Sequence, residues 1–427
     1  MTTSAAGHRL TRLPGGARVI TAPMRERSSV SIALLVAAGS RYEEPQNRGL
    51  AHFIEHMVFK GGAHYPSARA ISEAIEGVGG VLNAATDKEL TMFWAKVPAA
   101  HQALAIEVLG DMVFHAGLDA AEIAKERQVV IEELRMYQDN PQEHVSTLFE
   151  EAMWPDHPLG WDTAGSEETV RDIERDACLA FLERHYHADR VVASVAGATH
   201  HDTALAQLGA ALGSWGDGAA PEYRRAVPAP DGERLRFQSR RTEQANLCIG
   251  ARSASYTDPD RFAVDVLTSV LGEGMSSRLF LHLREDRGLA YDVHAFTVKH
   301  RDSGALGIYI GCEPRRAAAA TEAAVAELEQ LASEPVGEDE LRKVRALILG
   351  RLLLQLEGTS AMGNFLGQQE LLSGEILLPD ELVRRVEAVS AGDVQRAAAD
   401  VLEAGLRGAV IGPFPKPDKF EKILART

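Results

Sequence analysis

The first half of the chain is patterned in two rhythms. Short β-type apolar runs over 18–24, 30–36, 80–86 and 90–97 predict strands, each bounded by turn-forming residues. Longer stretches with apolar residues at helical spacing predict helices over 50–59, 68–77, 102–115, 120–138 and 141–153. Hairpin-like strand pairs beside consecutive helices imply an α+β fold with mainly antiparallel pairing.

The pattern repeats. "SIALLVAAGSRYEEPQNRGLAHFIEHM", beginning at Ser31, aligns without gaps to "ANLCIGARSASYTDPDRFAVDVLTSVL", beginning at Ala245, so that Tyr42 meets Tyr256 and Pro45 meets Pro259. In both copies an apolar run passes through a polar turn with proline into a helix. The offset of 214 residues is half of the 427-residue chain, which implies two homologous αβ domains from an internal duplication, each a mainly antiparallel sheet packed with helices. A Gly-, Ala- and Pro-rich stretch without clean periodicity separates the copies. The expected organisation is therefore a first domain at 1–214, a linker at 215–233 and a second domain at 234–427.

One helix breaks its own pattern. In "RGLAHFIEHMVFKGG", Arg48 to Gly62, the residues Leu50, Phe53, Ile54, Met57, Val58 and Phe59 suffice for a core face, yet His52, Glu55 and His56 stand among them. Positions i and i+4 of a helix project from one face, so the two imidazoles can converge on a metal ion with the Glu55 carboxylate beside them. Burying three ionisable groups without a shared partner would cost several kcal/mol. The second copy is an internal control: it has Val266, Ser269 and Val270 at the matching positions, so the fold does not require the polar groups and their purpose is chemical.

Composition narrows the chemistry. With 45% hydrophobic and 25% charged residues the chain is an ordinary globular protein, and its formal charge of −16 argues against a nucleic-acid partner, which needs a basic surface. The start, "MTTSAAGHRLTRLPGGARV", has no continuous apolar segment, and nothing later approaches the roughly 18 apolar residues of a membrane span. A cytoplasmic protein without a membrane partner is expected. Cys178, Cys248 and Cys312 are scattered and lack CxxC spacing, so they read as reduced, buried thiols and the metal site is not thiolate-based. The histidines of "RHYH" at Arg184 and of "HH" at His200 and His201 lack an acidic partner at helical spacing and read as strand-flanking polar residues.

A catalytic zinc site needs a third protein ligand. The helix "AEIAKERQVVIEELRMYQ" offers Glu122, Glu126, Glu132 and Glu133; Glu126 and Glu133 share a face, and Glu132 points elsewhere. Spacing alone does not choose among them. At this point the chain resembles the inverted-motif zinc peptidases of the pitrilysin and insulinase group, most closely their short two-domain branch that includes mitochondrial processing peptidase. That family carries H-x-x-E-H, then a glutamate ligand 77 residues after the second histidine and another glutamate seven before it; here those positions are Glu133 and Glu126. "GGVLNAATDKELTMFW" resembles the family's strand pair beside the zinc helix, with Asn83 and Ala84 at the peptide-holding positions. "DHPLGWDTAGSEE" resembles its connecting segment. "LGEGMSSRLFLHLREDRGLAYDV" resembles the second domain's signature, with Arg284 and Tyr291 as the arginine-tyrosine pair that faces the zinc; Glu273 departs from the glycine common there.

The resemblance implies a zinc endopeptidase with one Zn2+ per chain, held by His52, His56 and Glu133 and supported by Glu126. Glu55 would be the general base, and Arg284 and Tyr291 would complete the site. Extended peptides would be the substrates, paired along an edge strand near Asn83 and Ala84. Relatives twice as long place the zinc in their first domain and the arginine-tyrosine pair in their fourth, so a homodimer with shared sites is expected, or a heterodimer with a zinc-less paralogue. A non-catalytic scaffold or partner subunit is the alternative, and it would show a damaged motif.

Overall fold

The computed structural model describes residues 3–5, 7–212, 218, 223–228 and 232–426. Residues 215–217, 219–222 and 229–231 of the expected linker lie outside them. The chain forms two compact units, each an α+β layer around its own sheet. Among the described residues no helix is long and apolar enough to cross a membrane.

The first unit comprises residues up to Arg135 together with Asp162–Arg224 and Leu354–Ile376. Its seven strands are β1 (Thr3–Ala5), β2 (His8–Arg12), β3 (Arg18–Pro23), β4 (Ser29–Val36), β5 (Val81–Thr86), β6 (Thr91–Pro98) and β7 (Val191–Gly197). They lie in the order β1-β2-β3-β7-β4-β6-β5, antiparallel except for the β3–β7 pair. Strand β4 is buried from Val30 onward because both its faces are covered. Val30, Ile32, Leu34 and Val36 enter the main core with helices α1 (Leu50–Val58), α2 (Ala68–Glu76), α3 (Gln102–Phe114) and α4 (Ala120–Asp139). On the opposite face, helix Thr359–Leu372 lies so close that a Cβ on Gly367 would sit 2.6 Å from Leu35 Cδ1. Strand β5 ends the sheet and has one neighbour, β6.

The second unit comprises Met136–Trp161, Arg225–Leu353 and residues from Leu377 onward. Strands β8 (Leu235–Ser239), β9 (Ala245–Ser253), β10 (Asp292–His300), β11 (Ser303–Cys312) and β12 (Arg407–Gly412) lie in the order β10-β11-β9-β12-β8, antiparallel except for β12–β8. Strand β9 leads into helix Arg261–Gly272, as β4 leads into α1, and Val266, Ser269 and Val270 are buried on it. Helix α5 (Pro141–Met153) packs Val145, Phe149 and Met153 against Cys248, Tyr309, Ala409 and Ile411. Arg252 fixes its end, donating from Nε to the Met153 carbonyl at 2.7 Å and stacking on Trp154.

The units are therefore not the continuous halves 1–214 and 234–427. Helix α5 from the first half joins the second unit, and Thr359–Leu372 from the second half joins the first. Apolar spacing marks a helix and its buried stripe but does not say which sheet that stripe covers.

Candidate metal centre and active site

Helix α1 buries Leu50, Ala51, Phe53, Ile54, Met57 and Val58, which leaves His52, Glu55 and His56 as its partly exposed stripe. Its first turn is pinned. Gly49 stands before it at φ +91°, and a Cβ there would meet the Ala164 carbonyl oxygen at 2.4 Å, so only glycine fits. Glu43 then accepts from the N–H groups of Gly49 at 2.9 Å and Ala51 at 2.7 Å, satisfying donors that a helix start leaves open.

The imidazoles converge as the i, i+4 spacing requires, with their Nε2 atoms 3.3 Å apart. Glu133 on α4 brings Oε2 to 3.4 Å from His56 Nε2 and 3.8 Å from His52 Nε2. One donor atom from each of the three residues falls within 4.8 Å of the others, the one such group among the described residues. Glu126, about two turns earlier on the same face of α4 and buried, accepts from His56 Nδ1–H at 2.9 Å. That bond fixes the tautomer and leaves the Nε2 lone pair facing Glu133 and His52. Glu132 points away, pairing at the surface with Arg135.

Electrostatics favours a cation here. Burial, and then the His56 charge, hold the His52 pKa down at about 4, so its imidazole is neutral at physiological pH and its lone pair is available. Burial opposes charge on His56 too, but the Glu126 hydrogen bond and the carboxylates of Glu133, Glu126 and Glu55 outweigh it and raise its pKa. Two facing nitrogen lone pairs and a carboxylate oxygen at this separation repel one another unless something positive lies between them. The donor set of two imidazoles and one carboxylate is that of a catalytic zinc site with an open position.

Glu55 lies beside this cluster. Burial raises its pKa, an effect offset by a hydrogen bond from Thr86 Oγ1 to its Oε2 at 2.6 Å and increased by the nearby Glu133 charge. Asn83 and Ala84 lie on β5, the open end of the sheet, and α1 packs against this strand. Arg284 and Tyr291 belong to the second unit. Arg284 sits in a π-helical turn, Phe280–Asp286, with its guanidinium 5.5 Å from the Tyr291 ring centre, and Tyr291 is 72% exposed.

Three contributors were not anticipated from the sequence. Lys60 places Nζ 2.5 Å from Glu126 Oε2, so Glu126 bridges an imidazole and an ammonium. Thr86 holds Glu55, and Glu43 anchors α1. Lys60 follows His56 by four residues, a helical spacing that could have drawn notice; Glu43 lies in a turn, where no period signals a partner. Of the histidines set aside as polar flanks, His185 and His201 are instead buried, whereas His187 is half-buried and His200 exposed. His185 lies among the rings of Tyr42 and Phe181, and His201 bonds Thr11 and Thr21 at 2.9 and 2.7 Å. All three cysteines are free and buried.

Comparisons with known proteins cover nearly the whole chain. Residues 18–167 match the family model described as Insulinase (Peptidase family M16), and residues 172–348 match that of the Peptidase M16 inactive domain. A protein of Streptomyces coelicolor named as an uncharacterized zinc protease is 36% identical over 95% of this chain and 90% of its own length. One of Bacillus subtilis with the same description is 35% identical over 93% and 96%. Among solved structures, a protease from Helicobacter pylori superposes with a TM-score of 0.90 at 22% identity, covering 95% of this chain and 99% of that one, which shows the shared fold.

Proposed function

Because the chain belongs to the M16 family of insulinase-type peptidases, we propose that it is a zinc-dependent endopeptidase hydrolysing peptide bonds in extended peptides or unfolded segments. The observation that carries this reading is the convergence of His52 Nε2, His56 Nε2 and Glu133 Oε2 beside the Glu55 carboxylate. His52, His56 and Glu133 would hold the zinc, which when bound acidifies water and polarises a carbonyl. Glu55 accepts a proton from the attacking water and delivers it to the departing amine, a task suited to a carboxyl whose pKa burial has raised. Glu126 keeps His56 oriented. A peptide adds to the open edge of β5 at Asn83 and Ala84, where main-chain bonding is indifferent to side-chain identity.

Arg284 and Tyr291 would act on the bound peptide from a second subunit. Tyr291 is exposed and the Arg284 guanidinium is stacked near it, so the pair is oriented and accessible. A homodimer exchanging these residues reciprocally is the simplest assembly, with a heterodimer as its variant. The scaffold alternative predicts no stoichiometric metal. The "inactive domain" match falls at 172–348 and so does not include His52, Glu55, His56 or Glu133.

Glu55→Gln separates these readings. The amide keeps shape and loses the base, so zinc content should persist while hydrolysis falls by about 10²–10⁴-fold. A Glu55→Gln protein with near-normal turnover would overturn the assignment.

A further inference from the structure

The β5–β6 hairpin fixes which backbone groups of β5 face outward. At its turn Asp87 N–H donates to the Leu90 carbonyl at 2.8 Å, and the register continues as Thr86↔Thr91, Ala85↔Met92, Ala84↔Phe93 and Asn83↔Trp94. In an antiparallel ladder hydrogen-bonded and non-hydrogen-bonded pairs alternate. Asp87 is bonded to β6, so Ala85 and Asn83 are as well, and Thr86, Ala84 and Leu82 turn their N–H and C=O groups to the open edge. One contact agrees with this phase: Ala84 N–H is taken by the exposed side chain of its own neighbour, Asn83 Oδ1, at 2.8 Å, rather than by β6.

Thr86 differs from the outward positions before it in what its side chain does: its hydroxyl donates to Glu55 Oε2 at 2.6 Å. That hydroxyl has a single proton, and the adjacent Thr91 hydroxyl, 3.4 Å away and buried, spends its own on the Ala38 carbonyl at 2.8 Å. The pairing is thus directional: Thr86 donates to the base and receives no competing demand. One carboxylate oxygen is pinned, which leaves the other for the reaction.

We propose that Thr86 is a positioning residue that holds the base at the end of the edge strand with which the substrate pairs. The proposal rests on the peptidase reading above. A peptide paired with Leu82 and Ala84 meets, at the next outward rung about 7 Å along the strand, the residue whose hydroxyl holds the Glu55 carboxylate. The scissile bond is thereby registered by main-chain geometry rather than by a side-chain pocket.

Thr86→Val keeps the shape and the backbone donor and removes the hydroxyl; Thr86→Ser keeps the hydroxyl. With zinc content at the wild-type level, Thr86→Val should lower kcat at least tenfold and leave KM within threefold, and Thr86→Ser should retain at least a third of wild-type kcat. A zinc-stripped sample of each variant should bind a fluorescently labelled unstructured peptide within twofold of zinc-stripped wild type in fluorescence anisotropy, since Leu82 and Ala84 are intact. Thr86→Val with kcat within twofold of wild type overturns the proposal. So do equal losses in the Val and Ser variants, which would mean a packing role, and loss of zinc or of peptide binding in Thr86→Val. Wild-type protein that cleaves no peptide overturns the peptidase reading itself, and this proposal with it.

Discussion

Glu126 and Lys60 make the metal cluster a matter of single residues. Glu126 is buried between His56 Nδ1 and Lys60 Nζ, and these two partners hold its pKa down against the effect of burial. Glu126→Gln should weaken zinc affinity by about 10–100-fold, the usual cost of removing such an orienting partner, and competition with a metal indicator would measure it. Glu133→Gln should weaken it far more than Glu132→Gln, whose side chain is 68% exposed and pairs with Arg135; equal losses would move the third ligand off Glu133. His52, Glu55 and His56 were legible in sequence because helical spacing alone brings them together. Glu133 was not separable from Glu126 by spacing, since both share a face and only the tertiary approach of α4 to α1 brings one oxygen to the imidazoles and the other residue to Nδ1. His185 carries a separate expectation. Burial, and then Arg190, Arg184 and His187, lower its pKa to about 3. Between there and its ordinary value of 6.5 the unfolded chain binds a proton that the folded chain refuses, so stability falls as pH drops through that window. His185→Gln should flatten the decline of Tm between pH 6.5 and 5; an unchanged slope would mean that other groups set it.

At the scale of elements, β5 and α1 share the work. The outward phase of β5 has a sharp consequence for proline, which a strand tolerates only where no ladder bond is lost. Ala84→Pro should keep the fold and the zinc while raising KM at least tenfold, because the N–H it deletes faces the open edge. Ala85→Pro deletes a bond to β6 and should instead lower Tm. The reverse pattern in melting and kinetics would show that the register has been assigned to the wrong phase. Helix α1 depends on Glu43, and Glu43→Ala strands the N–H groups of Gly49 and Ala51, an expected loss of about 1–3 kcal/mol in denaturant unfolding. The four strands and five helices read from the first half lie within a residue or two of those observed, since each runs long enough for its period to show, whereas β1, β2, β7 and the helices Glu167–Arg171, Arg175–His185 and His201–Leu212 were not read. What periodicity could not assign was partnership: α5 and Thr359–Leu372 each join the unit built mainly from the other half of the chain, a choice made by packing against sheets far away in sequence.

For the whole molecule, the His52–His56–Glu133 cluster lies in the first unit and the Arg284–Tyr291 pair in the second, and the proposed homodimer makes a complementation test possible. Glu55→Gln and Tyr291→Phe chains, each nearly inactive alone, should on co-assembly regain up to about half of wild-type activity per mixed dimer, because one of the two sites then carries neither lesion. No recovery would place the pair and the histidine–glutamate cluster of one chain in the same site. Whether His52, His56 and Glu133 hold a zinc ion on which peptide hydrolysis depends is decided by measuring metal content and peptide turnover on the same purified sample before chelation, after it, and after zinc is returned. About one zinc per chain, loss of turnover with the metal, and recovery with its return are expected. Undiminished hydrolysis by the metal-free protein, or a chain that holds stoichiometric zinc and cleaves no peptide, would contradict zinc-dependent hydrolysis.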